Sequence, residues 1–382
     1  MRARWCKAPA LALAALLATQ AQAADPATLI YAGRVFDSEA GQMLGPRLIL
    51  VQEGRIAEIG SAIAVPPGTR RIDLRAYTVL PGLIEAHPHL LVDGGEPSAP
   101  IGESLRALRG AAHARSYLEA GYTSVRDVGK AGRFADVALK RAIEEGSVPG
   151  PRLFVSGPAL VSFAPSGERR AVRDAEDARV AVREHARQGV DLIRIDADAV
   201  DGQSVFTPEQ MQAAVAEAHA ARLKVTAFAS SDAAIARALE AGVDAVEHGD
   251  GASTETLRRM RQEAVPLVPL PPYGERLRQA QAEGVVLAAG SDAGFGTGAP
   301  QGRGEAARRV LLTWREAGVA PSEVLQAATV QGARLLGVPG LGVLGTGAHA
   351  DIIAVQGDPM ADLDALNRVV FVMKAGQLVR AP

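Results

Sequence analysis

The segment Leu80-Pro-Gly-Leu-Ile-Glu-Ala-His-Pro-His89 ends in two histidines one residue apart. In an extended chain, side chains at i and i+2 point the same way. Two neutral imidazoles so placed can chelate one divalent ion. Two other segments end an apolar run in a polar side chain: Val246-Glu-His-Gly249 and Leu287-Ala-Ala-Gly-Ser-Asp-Ala-Gly294. His248 would sit at a strand end. Asp292 beside a metal can be ligand and general base together, taking the proton of a bound water. Each signal also has a plainer use. A His-x-His pair can be two solvated loop histidines, and Ser-Asp-x-Gly is a common cap or turn. Together they put His-x-His, His and Asp at three separate strand ends.

Those strand ends belong to a repeating pattern. Short apolar strands are expected near Leu83, Thr123, Arg152, Asp191, Lys224, Asp244, Pro266 and Val285. Amphipathic stretches of helix length alternate with them, at 103–120, 134–145, 175–188, 208–221, 233–241 and 305–317. The connection after the seventh strand is thin, and a last helix is expected over 322–336. Eight β–α units over ~260 residues is the count of a (β/α)8 TIM barrel, whose active sites sit at the C-terminal strand ends. An open doubly wound sheet is the competing topology. The two chain ends differ from the middle. Alternating runs at 29–36 and 48–59, the second broken by a Glu53-Gly54 turn, read as strands and a hairpin. Short runs at 351–355, 369–373 and 376–380 mirror them. The expected fold is therefore α/β. A barrel over 81–347 carries a small β-sandwich made from 24–80 and 348–382.

Composition narrows the function classes. Of 382 residues, 48% are hydrophobic and 22% charged, which excludes wholesale disorder. The 41 basic and 43 acidic residues are spread evenly, so no basic arm suggests nucleic acid. Aromatics at 4% are too few for a base-stacking platform. Residues 1–23 read as a secretory signal peptide: Arg2, Arg4 and Lys7, then an apolar run, then Ala21-Gln22-Ala23 as the cleavage site. The run is too short to span a bilayer. Cys6 is the single cysteine and would leave with the signal, so disulfides and thiolate ligands are not expected. A periplasmic or secreted location is the expectation.

The chain resembles the metal-dependent amidohydrolase superfamily, in its imidazolonepropionase-like and Xaa-Pro-dipeptidase-like branch. Pro81-Gly-Leu-Ile-Glu-Ala-His-Pro-His89 is similar to the family's P-G-L-I-D-x-H-x-H. Gly121-Tyr-Thr-Ser-Val-Arg-Asp-Val-Gly129, Gly150-Pro-Arg-Leu153, Gly242-Val-Asp-Ala-Val-Glu-His-Gly249 and Gly290-Ser-Asp-Ala-Gly294 resemble further family blocks, as does the tail from Gly345 to Pro359. The resemblance implies a barrel with a two-ended β-sandwich, and hydrolysis of amide-like C–N bonds with divalent metal.

The chain departs from the family pattern at the metal site. The fourth strand of this branch usually reads V-D-x-I-K, with a carboxylated Lys bridging two metals. Val190-Asp-Leu-Ile-Arg194 puts a guanidinium there, which stays protonated and has no amine to carboxylate. The fifth strand usually reads V-x-V-H-A-H-G, and here Phe228 and Ser230 stand at the histidines. Ser162-Phe-Ala-Pro-Ser-Gly167 replaces a Gly-Gly-His loop, and Glu85 replaces an Asp. A binuclear centre is not expected. His87, His89 and Asp292 keep a first metal site, three ligands and a water being enough for catalytic zinc. His248 is a fourth ligand or a group that orients the water. Arg194 binds a substrate carboxylate, pairs with Asp292 in place of a metal, or pairs with Asp196 two residues on. Asp196 is also a candidate replacement ligand. Phe163, Arg169 and Arg170 lie in the third βα loop, in reach of substrate. His113, His185, His219 and His349 are expected to be structural or solvated.

The expected activity is a mononuclear zinc hydrolase of a small amide, cyclic amide or dipeptide, with Asp292 and His248 catalytic. Two alternatives stand beside it: an ester or lactone hydrolase on the same site, and a catalytically silent barrel that only binds. A small-molecule substrate is the expected partner, with no nucleic acid and no membrane span. A homo-oligomer stays open.

Overall fold

The computed structural model describes residues 26–92, 101–129, 132–162, 168–198, 206–293 and 302–382. The signal segment and Phe163 lie outside these residues.

The two chain ends combine in one continuous mixed sheet of eight strands. Its order is Gln377–Arg380, Val369–Lys374, Ile352–Val355, Arg70–Pro81, Thr28–Asp37, Arg47–Gln52 and Arg55–Gly60, with Gln42–Leu44 paired onto Thr28–Asp37. Thr28–Asp37 runs parallel to Arg70–Pro81 and antiparallel to Arg47–Gln52. The Glu53-Gly54 turn has φ of 49° and 74°. Two successive positive φ values match the right-handed twist of the flanking strands, which makes this the tight hairpin expected from sequence. Ile30, Val35, Ile49, Ile56, Leu74 and Phe371 form the buried face of the sheet.

The middle of the chain forms parallel strands with helices between them. Leu83–Glu85, Tyr122–Asp127 and Arg152–Val155 make one parallel sheet. Leu192–Asp196, Lys224–Ala229, Ala245–His248 and Leu267–Val268 follow one another in a second, which also takes in Leu160–Val161 and Arg170–Ala171. Backbone hydrogen bonds link these sheets. Asp191 N donates to Val155 O at 2.8 Å, Leu267 bridges Leu287, and Ala86 N donates to Ala289 O at 2.9 Å. The eighth expected strand is thus an extended segment with a single bridge at Leu287.

Local chemistry explains the helices. Ala175–Gln188 starts where the Asp174 carboxylate accepts from Asp177 N and stops at Gly189 in the left-handed region. Pro208–Ala220 starts on a Thr207–Gln210 capping box with proline in its first turn. Two details differ from the sequence expectation. The stretch 322–336 is two helices, Pro321–Ala327 and Val330–Leu336, broken at Thr329, whose hydroxyl bonds back to Leu325 O. Gly332 packs against Ile84 so closely that a Cβ would lie 2.9 Å from it, which seats the second helix under the first parallel strand. The thin seventh connection holds a short helix, Gly274–Ala282.

Candidate metal centre

His87 and His89 leave the end of Leu83–Glu85 with Pro88 between them, and their rings lie 5.1 Å apart. Asp292 arrives from the last segment. Its backbone N donates to His87 O at 2.9 Å, and its own backbone is left-handed, φ 51°. The close approach needs Gly290, where a Cβ would stand 2.9 Å from the His87 Cβ. A buried carboxylate clamps the two segments: Glu85 Oε1 accepts from His87 N at 3.1 Å and from Ser291 N at 2.8 Å. Burial pushes Glu85 up to about 7 against those hydrogen bonds.

The result is a compact donor set. One ligand atom each from His87, His89 and Asp292 lies within 4.8 Å of the others. His89 Nε2 is 3.2 Å from Asp292 Oδ1. Burial works to raise Asp292, but the hydrogen bond from His89 and the nearby imidazoles hold it at about 2, so it is ionised. Burial pushes His87 down to about 4, so its ring is neutral. His87 Nδ1 lies 2.6 Å from Glu247 Oε2, and His87 Nε2 is buried with no hydrogen-bond partner among the described residues. A buried orphan nitrogen beside a second imidazole and an ionised carboxylate fits one divalent cation. Three donors leave a coordination position for water or substrate.

His248 sits beside this set rather than in it. Its ring is 5.9 Å from His87 and 4.6 Å from Phe228, and its Nδ1 is 3.7 Å from Asp250 Oδ2. Burial pushes it below the usual imidazole range. Its backbone is also left-handed, φ 70°, which accounts for a strand-end side chain falling short of the group.

Beyond His248 and Phe228 stands Arg194. Its Nε donates to Asp196 Oδ1 at 2.8 Å, and its Nη1 reaches the carbonyls of Val128 and Gly129 at 3.4 and 3.2 Å. Its hydrogen bonds therefore go to Asp196 and backbone, not to Asp292. The guanidinium lies over the Phe228 ring at 5.6 Å. Arg169 Nη1 stands 3.8 Å from Asp196 Oδ2, so two guanidinium groups flank the Asp196 carboxylate. A carboxylate so engaged is a poor replacement ligand. Neither the Arg194 guanidinium nor the Phe228 ring offers a lone pair to a cation.

The remaining candidates bond to other parts of the fold. Arg170 pairs with Asp177 and Glu184 along the outside of a helix. His185 bonds Ala181 O and Pro158 O, His113 bonds Leu90 O, His219 pairs with Asp244, and His349 lies 3.4 Å from Arg152. Sequence reasoning missed Glu247 and Arg126, both fully enclosed beneath the site. The available signal was a charged side chain inside each of two apolar strands. Asp127 was missed as well. It accepts from Leu90 N and Gly129 N and so ties the turn after His89 to the next loop, while burial pushes it up to about 6.

Fold and site together are those of an amidohydrolase. The sequence profile of the amidohydrolase family matches residues 78–379, and the chain belongs to that family. It is 27% identical to ochratoxinase of Aspergillus niger over 93% of this chain and 87% of that protein. It is 25% identical to imidazolonepropionase of Saccharopolyspora erythraea over 84% of this chain and 89% of that protein. The crystal structure of a Xaa-Pro dipeptidase with methionine bound in its active site superposes with a TM-score of 0.84 at 28% identity. That match covers 93% of this chain and 100% of that one. Members of this family usually use metal ions. Among the described residues no helix is long and apolar enough to cross a membrane.

Proposed function

We propose that this chain is a mononuclear, zinc-dependent hydrolase of C–N bonds in a small substrate: an N-acyl amino acid, a dipeptide or a cyclic amide. One observation carries the reading. His87, His89 and Asp292 converge within 4.8 Å while His87 Nε2 stays buried without a partner. These three residues would hold the ion. A divalent ion there supplies an activated water and polarises the scissile carbonyl. Asp292, held ionised, takes the proton of the attacking water and returns it to the leaving nitrogen. His248, half-buried at the rim, donates a hydrogen bond to the oxygen that gains charge. Arg194 and Phe228 form the far wall, and Arg194 seats a substrate carboxylate.

In this reading the linked parallel strands close as a (β/α)8 barrel over 81–347. The mixed sheet would bend over its own core into the two layers of the β-sandwich expected of 24–80 and 348–382. Cleavage after Ala23 would deliver the chain to the periplasm or outside.

The test is hydrolysis of a panel of N-acyl amino acids, dipeptides, esters and lactones by the purified chain. Turnover that disappears with a chelator and returns with Zn²⁺ supports the reading. Esters and lactones cleaved without any amide would move it to the ester alternative. No turnover on any of them with Zn²⁺ present would leave a binding protein.

A further inference from the structure

Beneath the donor set, one carboxylate touches the imidazole that the site depends on most. Glu247 is fully buried, and its Oε2 lies 2.6 Å from His87 Nδ1. Its other oxygen accepts from Arg126 Nη2 at 2.5 Å and from the Thr226 hydroxyl. The Arg126 guanidinium also donates through Nε to Ala86 O at 2.8 Å, the carbonyl just before His87. From this geometry we infer that Glu247 is a positioning residue that fixes the tautomer of His87. It holds the ring proton on Nδ1 and keeps Nε2 bare toward His89 and Asp292.

Donor and acceptor counts decide which ring nitrogen carries the proton. An ionised carboxylate only accepts, so the nitrogen facing it must carry the proton. A neutral imidazole has a single N–H, so its other nitrogen is left with a free lone pair. That nitrogen is the one found buried and unpartnered. Arg126 gives the arrangement its charge balance. Its charge offsets that of Glu247, so the carboxylate does not need a protonated His87 to neutralise it. The same guanidinium fixes the main chain at Ala86, so ring and backbone are held by one ion pair. Glutamine at 247 would lose the constraint. Its amide can turn NH2 as readily as oxygen toward Nδ1. In that orientation Nδ1 must accept and the ring proton moves to Nε2, where it blocks an incoming cation.

This inference rests on the reading of His87 as a metal donor, and the experiment separates the two. The full-length metal-free chain is labelled with nitrogen-15 histidine. The His87 tautomer is read from its ring nitrogen shifts, assigned by their loss in His87→Ala. Zinc affinity is then measured by competition with a chelator. The wild-type ring should carry its proton on Nδ1. Glu247→Gln should show a mixed tautomer and bind zinc roughly 10–100-fold more weakly. Because that variant leaves Arg126 buried without its partner, the charge-neutral Glu247→Gln/Arg126→Gln variant is measured beside it, with folding checked by circular dichroism. A wild-type proton on Nε2 would overturn the inference. So would a folded variant that keeps both the Nδ1 proton and wild-type zinc affinity. A Glu247-dependent Nδ1 proton in a chain that binds no zinc would uphold the tautomer lock and contradict the metal reading instead.

Discussion

The donor set and the neighbouring Arg194 cluster are built on opposite principles. In the first, His87, His89 and Asp292 present lone pairs, and the protein keeps them available. Asp292 is held ionised, His87 is held neutral, and buried carboxylates at Glu85 and Glu247 grip the backbone and ring of His87. In the second, Arg194 fills the space with the protein's own cation, packs over Phe228, and shares Asp196 with Arg169. The first lacks a positive charge at its centre and the second already contains one. The proposed single-ion reading rests on this difference.

The sharpest way to break the comparison is to remove one residue from each. His87→Ala should take metal binding and turnover to background. Arg194→Met should leave metal content unchanged. Its effect should fall on KM for carboxylate-bearing substrates, raised on the order of 10-fold, with kcat nearly constant, since a hydrogen bond to a charged group contributes about 1.5–3 kcal/mol. Steady-state kinetics with charged and neutral substrate pairs decides this. An equal effect on both substrates would remove Arg194 from carboxylate recognition.

A second contrast concerns stability. Arg126→Ala leaves Glu247 buried without its cation and should cost about 3–5 kcal/mol, read by urea unfolding. Arg194→Met should cost less, because Arg169 remains beside Asp196.

The buried acids give a third contrast, smaller and pH-dependent. Asp136 accepts from Val137 N and Gly157 N, and burial pushes it up to about 7 from an ordinary 3.8. A carboxyl raised on folding stabilises fully below its unfolded value and loses that contribution as pH rises through the folded value. Stability should therefore decline between about pH 4 and 7, and Asp136→Asn should make the decline shallower, Glu85 and Asp127 supplying the rest. Asp292 has the opposite sign, because its folded value is depressed to about 2. Its contribution is present above about pH 4 and fades as pH falls through 2. Urea midpoints measured across pH 3–8 separate the two. A decline as steep in Asp136→Asn as in the wild type would exclude Asp136 as a contributor.

Legibility in the sequence followed the range of each interaction. His87, His89 and Asp292 could be read because their spacing and strand-end position are local properties. The Arg194–Asp196 pair was readable for the same reason, two residues apart on one strand face. Glu247 and Arg126 were not, since their partners lie 160 and 121 residues away in the chain and no spacing rule connects them. The positive φ of His248 at its strand end was not visible in the motif. In the fold, the hairpin at Glu53-Gly54 and the helix Ala175–Gln188 carried their own turn and cap signals. The helix Gly274–Ala282 was hidden by its weak apolar face, with only Leu277 and Ala280 buried.

The measurement that tests the account most directly is metal content of the purified chain by elemental mass spectrometry, with His87→Ala and Arg194→Lys alongside. The account predicts one equivalent in the wild type and none in His87→Ala. It predicts one equivalent still in Arg194→Lys, because Phe228 and Ser230 offer no ligands to a second ion. No metal in the wild type after incubation with Zn²⁺ or Mn²⁺, or two equivalents in any of these chains, would contradict it.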